Sequence, residues 1–329
     1  MQAQLIALDW GTTSLRAYLL GCDGRVLNVR TLASGIMKLP STARMVAGHW
    51  CADGFELALD DACGDWLDTN PGIGVIACGM VGSAQGWREV PYRETPASLA
   101  ALGTALQVVR SMRDIDVHIV PGVIQHSTLP NVMRGEETQV LGVLHSHPDL
   151  NDCLIGLPGS HSKWVQARDG NLVHFDTFMT GELYAAACEH TILSRTQQPG
   201  AAFDAQAFTR GVQVAQSDDG QLGPLSTLFS ARTLGLTGQL SPTQQPDYIS
   251  GLLIGHELTA LAGALRQRRG GPSLPTIILI GNAQLCARYQ LALSACGFAD
   301  VRLAEQATAR GLWHLAQAAG LLQQQALEG

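Results

Sequence analysis

Two stretches of this chain echo one another, and the echo constrains what the chain can fold into. The first reads Leu5-Ile6-Ala7-Leu8-Asp9-Trp10-Gly11-Thr12-Thr13-Ser14-Leu15-Arg16. The second reads Leu154-Ile155-Gly156-Leu157-Pro158-Gly159-Ser160-His161-Ser162-Lys163-Trp164. Each opens on an apolar Leu-Ile-x-Leu run, the mark of a buried strand. Each then gives Gly, a hydroxyl residue, one further residue and Ser. Each continues as an extended segment, an Asp-Gly turn (Asp23-Gly24, Asp169-Gly170) and another strand. Two strand–hairpin–strand units, one opening each half of the chain, predict a duplicated architecture.

The chemistry of such a hairpin tip is phosphate binding. Gly11 removes side-chain bulk so that backbone N–H groups can approach an anion. Thr12, Thr13 and Ser14 add hydroxyl donors. A bare anion would be repelled by Asp9, whereas an anion carrying a divalent cation would be drawn to it, because a carboxylate holds the metal directly or through its waters. Asp9 is therefore the candidate metal-binding residue, for a divalent cation. Gly159, Ser160 and His161 form the second tip. His161 and Lys163 are candidates to touch phosphate or an acidic substrate. Two such tips facing each other across a cleft would clamp one triphosphate.

Composition narrows the class. The chain has 329 residues, 46% hydrophobic and 15% charged, which suits two domains with real cores. A net charge of -7 argues against a nucleic-acid partner, since phosphate backbones need clustered Lys and Arg. No uninterrupted apolar run approaches the ~20 residues of a bilayer span, and no basic-then-apolar leader opens the sequence. The expected partners are small molecules, with no membrane, and the expected compartment is the cytoplasm. The eight cysteines form no C-x-x-C pair and read as reduced thiols, most of them buried, without zinc.

Between the hairpins, helical spacing over Ala52–Asp68 is followed by a buried strand at Gly74–Cys78 and a polar loop from Met80 to Arg93. In that loop Arg88 reads equally as a partner for a substrate carboxylate or as a solvated side chain. A strand at Asp116–Val120 precedes a helix over Arg134–Leu144, with Glu136 and Glu137 in its first turn. Carboxylates there complement the helix dipole whatever else they do. The polar run around His145–Asp152 places the domain boundary, giving domains 1–148 and 149–329. The second half predicts strands at Cys153–Leu157, Lys163–Ala167 and Leu172–Phe175. Helices follow over Phe178–Leu193, Ala205–Val214, Leu222–Leu234 and Asp247–Gln267. A strand at Thr276–Ile280, a helix over Gln284–Ala295, a strand at Val301–Leu303 and a helix over Glu305–Gln323 close the chain.

The two hairpins and their order resemble the actin, Hsp70 and sugar-kinase superfamily, with its phosphate-1 and phosphate-2 motifs. A closer resemblance, along nearly the whole chain, is to the 2-dehydro-3-deoxygalactonokinase family. It is carried by Asp9–Ser14, Cys78–Ser83, Gly86–Tyr92, Val120–Val123, Val132–Gln139, Leu157–Trp164 and Phe178–Leu183. Asn131 and Ser160 depart from the family's expected Asp and Thr. The resemblance implies an α/β fold of two ribonuclease H-like (actin-like ATPase) domains with a nucleotide cleft between them. It implies ATP and Mg²⁺ as cofactors, and 2-dehydro-3-deoxy-D-galactonate, phosphorylated to its 6-phosphate, as substrate. In related sugar kinases a carboxylate on the helix before the second phosphate hairpin is the general base, which here points to Glu137 first and Glu136 next. The strand–Gly–helix at Gly281-Asn282 resembles the superfamily's adenosine motif. The acid's carboxylate needs cationic partners, and the cations near the motifs are Lys38, Arg88, Arg134 and Lys163. A kinase for another sugar acid, a nucleotide-driven switch and a phosphatase of exopolyphosphatase type are the rival readings. A homodimer is left open, with no coiled-coil heptad to say how subunits would meet.

Overall fold

The computed structural model describes residues 2–200, 202–272 and 274–322. The architecture is α/β, with two principal sheets. The first is built from β1 (Leu5–Trp10), β2 (Leu15–Leu20), β3 (Val26–Leu32), β4 (Gly74–Cys78), β5 (Gln107–Arg110) and β6 (Asp116–Ile119), in the order β3-β2-β1-β4-β6-β5. The second holds β7 (Asp152–Leu157), β8 (Ser162–Arg168), β9 (Asn171–Phe178), β10 (Thr276–Leu279) and β11 (Val301–Leu303), in the order β9-β8-β7-β10-β11. The orders match strand for strand from the third strand of each unit to the first. In both sheets the opening strand then pairs in parallel with a later one, β1 with β4 and β7 with β10. The repeat in the sequence is thus a repeat of topology.

Strand and helix content follow from the local sequence. β1 is apolar on both faces, since Leu5, Ile6, Ala7 and Leu8 are all wholly buried, as expected of a central strand with layers on either side. α1 (Gly54–Thr69) begins where the Asp53 carboxylate accepts from the N–H groups of Phe55 and Glu56. α2 (Glu136–Ser146), α3 (Thr180–His190), α4 (Ala205–Gln216), α5 (Gln245–Arg269), α6 (Ala283–Ala295) and α7 (Ala307–Ala318) complete the long helices. α5 is long and apolar enough to cross a bilayer by length and composition. It is instead the core of its unit, with Tyr248, Leu252, Leu258 and Leu265 wholly buried.

The expected helix over Leu222–Leu234 is broken. Gly223 takes φ +81° and Pro224 starts a new helix, so the segment splits into Pro224–Thr227 and Ser230–Leu236. Short strands at 44–46, 49–51, 93–94, 107–110, 123–125 and 131–133 had no sequence signal, because two to four residues carry too little alternation. Gln323, expected in the closing helix, lies outside the described residues.

The chain divides into two compact units, 1–151 with 165–175 and 305–329, and 152–164 with 176–304. A cut near 148 therefore does not describe them. The closing helix α7 packs with the first unit, where Gly142 of α2 and Gly311 of α7 let two backbones meet. A Cβ on Gly311 would lie 1.9 Å from the Thr138 carbonyl oxygen.

Candidate active site

In the first unit the site begins at the end of β1. Across the β1–β2 pair, Asp9 stands opposite Arg16 and Trp10 opposite Leu15, and the Gly11 N–H closes the turn on the Ser14 carbonyl at 2.9 Å. Thr12, Thr13 and Ser14 are exposed. The turn is held from beneath: the N–H groups of Ile36 and Met37 donate to the carbonyls of Gly11 and Thr12, both at 3.1 Å. Gly35 permits this, because a Cβ there would fall 2.4 Å from the Thr13 and Ser14 backbone. Trp10 is wholly buried, packs against Phe55 and Trp87 with ring centroids 5.7 and 5.9 Å away, and donates its indole N–H to Ser34. The loop carrying Trp87 and Arg88 is thereby fastened to the base of the hairpin.

Three backbones converge beside Asp9. Gly79 at the end of β4 takes φ +92°, and a Cβ there would be 2.8 Å from the Trp10 carbonyl oxygen. Gly135, at φ +111°, leads into α2 and approaches Gly79 almost as closely. α2 therefore starts near the root of the first hairpin, and the Glu136 charge acts on Asp9. Burial pushes the Asp9 carboxyl up, the Arg16 guanidinium pulls it down, and Glu136 pushes it up again.

Helical phase separates the two glutamates. Glu137 is fully buried, its Oε2 accepting from the Gly135 N–H at 2.7 Å and its Oε1 from the Thr138 hydroxyl at 3.1 Å. Burial first, and the Glu136 charge second, push its carboxyl up to about 8. Glu136 is half-buried and accepts from the Arg134 N–H at 3.1 Å. Of the two carboxylates, that of Glu136 is the more accessible.

The four candidate cations also divide. Arg134 is enclosed, its Nη2 donating to the Val90 carbonyl at 2.8 Å and its guanidinium lying 4.3 Å over the Tyr92 ring. Lys163 is buried on β8, an inner strand of its sheet, and donates to Thr177 Oγ1 at 2.8 Å. Arg88 is exposed, with Nη1 on the Val108 carbonyl at 3.2 Å, and Lys38 is exposed one residue beyond Met37.

In the second unit, the turn Pro158–His161 rests on the start of α3. A Cβ on Gly181 would lie 2.4 Å from the Gly159 carbonyl oxygen, and the Glu182 N–H donates to the Ser160 carbonyl at 3.0 Å. His161 Nε2 pairs with the Glu182 carboxylate. Gly281 takes φ +152° after β10, and the Asn282 side chain caps α6 by accepting from the N–H groups of Gln284 and Leu285. A groove of about 410 Å³ brings together Gly159, Ser160, Thr180, Asn282, Arg288 and Tyr289, among others. Arg288 is tied there by an ion pair to Asp247 at 2.8 Å, and its guanidinium lies 4.4 Å over the Phe203 ring. Sequence reasoning missed Arg288 and Tyr289, since nothing local distinguishes them from other residues of an amphipathic helix. Thr180 stood within a quoted motif but was given no role.

A family model described as 2-keto-3-deoxy-galactonokinase matches residues 9–315. The chain belongs to that family. The 2-dehydro-3-deoxygalactonokinase of Escherichia coli strain K12 is 33% identical over 298 residues, 90% of this chain and 91% of that protein. A relative from Rhizobium meliloti strain 1021, provisionally given the same description, is 36% identical over 318 residues, 94% of this chain and 97% of that protein. A crystal structure from Sinorhizobium meliloti, again provisionally described as a 2-dehydro-3-deoxygalactonokinase protein, superposes with a TM-score of 0.81 at 35% identity, covering 95% of this chain and 98% of that one. The α/β fold implied by the resemblance is therefore the fold of this kinase family.

Proposed function

We propose that this chain is a sugar-acid kinase that transfers the γ-phosphoryl group of ATP to the 6-hydroxyl of 2-dehydro-3-deoxy-D-galactonate, in galactonate breakdown. Family membership over nearly the whole chain supports the reaction and substrate. The observation that carries the mechanism is the juxtaposition of Asp9 and the half-exposed Glu136 at the root of the exposed Gly-Thr-Thr-Ser turn. Catalysis of phosphoryl transfer is mostly positioning and charge stabilisation. Glu136 would orient the acceptor hydroxyl and take its proton as the new P–O bond forms. The Gly11–Ser14 turn would offer N–H and O–H donors to phosphate oxygens. Of the four candidate cations, Lys38 and Arg88 are the exposed ones, and they would meet the acid's carboxylate. The groove bounded by Gly159, Ser160, Asn282 and Arg288 would take the nucleotide.

Mg²⁺ fits the first unit. Asp9 is a hard oxygen ligand at the root of the exposed turn; burial and Glu136 disfavour its negative charge more than Arg16 favours it, so a further cation beside it would be stabilising. Asp9 would hold the ion, with phosphate oxygens and water completing its shell. When bound, Mg²⁺ supplies neutralisation of the charge on the transferring group. A cytoplasmic location belongs to the same proposal; a homodimer is left open, and sedimentation of the purified protein reads it directly.

The test is ADP release in a coupled assay with Mg-ATP, run without sugar, with 2-dehydro-3-deoxy-D-galactonate, with its gluconate epimer and with a neutral hexose. Stimulation by the galactonate is the expected result. Equal use of both epimers would keep the kinase and broaden its substrate. ATP hydrolysis indifferent to every sugar acid would overturn the proposal and take the base role from Glu136.

A further inference from the structure

A buried carboxylate in the second unit is used by none of the steps above. Glu257 lies in the middle of α5, with 3% of its surface exposed, in a helix whose neighbouring Ile254, Leu258 and Leu261 are core. A charged group in such a place is costly unless several donors meet it, and an apolar residue would fill the space more cheaply. Three donors do meet it. The Trp164 indole N–H donates at 2.6 Å, the Tyr289 hydroxyl at 2.8 Å, and the Thr180 hydroxyl also donates. Because the Tyr289 proton points at Glu257, the Ser162 hydroxyl, 2.9 Å from the Tyr289 oxygen, must be the donor in that contact.

These partners belong to three different elements. Ser162 and Trp164 are on β8, immediately after the turn Gly159–His161. Thr180 begins α3, against which that turn rests. Tyr289 is on α6, which Asn282 caps. Thr180 and Tyr289 themselves line the groove proposed for the nucleotide.

We infer that Glu257 is the positioning residue of the second phosphate turn: its carboxylate holds β8, the start of α3 and α6 in one register and so fixes the backbone N–H groups of Gly159–His161 for nucleotide phosphates. The inference rests on the kinase reading above and deepens it. Glu257 touches no substrate. Replacing it with Gln keeps the volume but turns an NH₂ toward the Thr180 and Tyr289 hydroxyls, which must then accept where they had donated, so the set of three donors on one carboxylate is lost. The turn then loses its fixed geometry while the first unit is untouched.

Calorimetric titration of Mg-ADP into the full-length wild type, E257Q and Trp164→Phe, with steady-state kinetics on each, tests this. Trp164→Phe removes one donor, keeps the carboxylate, and serves if E257Q does not fold. The expected result is nucleotide affinity weakened and KM for ATP raised about 10–100-fold in E257Q, as for other supporting-shell losses, with KM for the sugar acid unchanged. Trp164→Phe should shift the same two parameters in the same direction by less. A merely structural role would lower the active fraction, reducing apparent kcat while leaving the ADP affinity and both KM values at wild-type levels; that result overturns the inference. Equal rises in both KM values overturn it too. Wild type that binds no Mg-ADP would overturn the kinase reading itself, an outcome distinct from a wild type that binds while the variants match it.

Discussion

At the scale of single residues, neighbouring glutamates of like chemistry are given different environments by about 100° of helical rotation, Glu137 buried and Glu136 half-buried. Glu136 is proposed to take the substrate proton. Glu136→Gln should leave Mg-ADP binding intact and slow turnover by about 10²–10⁴-fold, the usual loss for a general base; unaltered kcat in the coupled assay would remove the role. Glu137 gives a different signature. Its carboxyl is pushed up to about 8 in the folded protein against an ordinary 4.5. Between those values the folded chain binds more protons than the unfolded one, so this group lowers stability as pH rises from about 5 to about 8. Glu137→Gln keeps the neutral, hydrogen-bonding form at every pH. The difference in Tm between variant and wild type should therefore grow in the variant's favour across that window. A constant difference would mean that Glu137 is ionised in the native state at neutral pH.

At the scale of elements, the proposed catalytic groups are placed by close backbone contact, and glycine makes the contact possible. Gly79 and Gly135 bring the end of β4 and the start of α2 together at positive φ. Gly142 and Gly311 do the same between α2 and α7, where a Cβ on Gly142 would lie 2.2 Å from the Ala307 carbonyl oxygen. Gly311→Ala would drive a methyl into the Thr138 carbonyl, one residue from Glu137. Overpacking of this kind destabilises by about 1–3 kcal/mol, measurable by urea denaturation. Because α2 must shift to make room, kcat should fall more than the KM for ATP rises. A variant as stable and active as wild type would show that the helices separate freely. The groove in the second unit is framed in the same way, by Gly181 under the Gly159 carbonyl and by Gly281 at the head of α6.

At the scale of the whole molecule, the last helix of the chain belongs with the first sheet. Leu312, Leu315 and Ala316 of α7 are wholly buried in the unit that contains residues 1–151. Leu312→Ala should remove about 2–5 kcal/mol of stability. Limited proteolysis in mild denaturant should then cut first within 1–151; first cuts within 176–304 would show that α7 supports the other unit. The sequence alone determined the duplicated strand–hairpin–strand plan, the two glycine–hydroxyl turns, the strands β1, β4 and β10, and Asp9 at the first turn's root. These are local matters: apolar runs, turn chemistry and a carboxylate beside hydroxyls, all within a few residues of each other. It also led to the family through motifs spread along the chain. Only the tertiary structure decided that Glu136 is reachable and Glu137 is not, since burial depends on what packs against a helix and not on the helix alone. It enclosed Arg134 and Lys163, which composition could only count as cations. It returned α7 to the first unit and gathered Trp164, Thr180 and Tyr289 around Glu257, because contacts between residues as far apart in sequence as Trp164 and Glu257, or Thr138 and Gly311, leave no mark in local spacing.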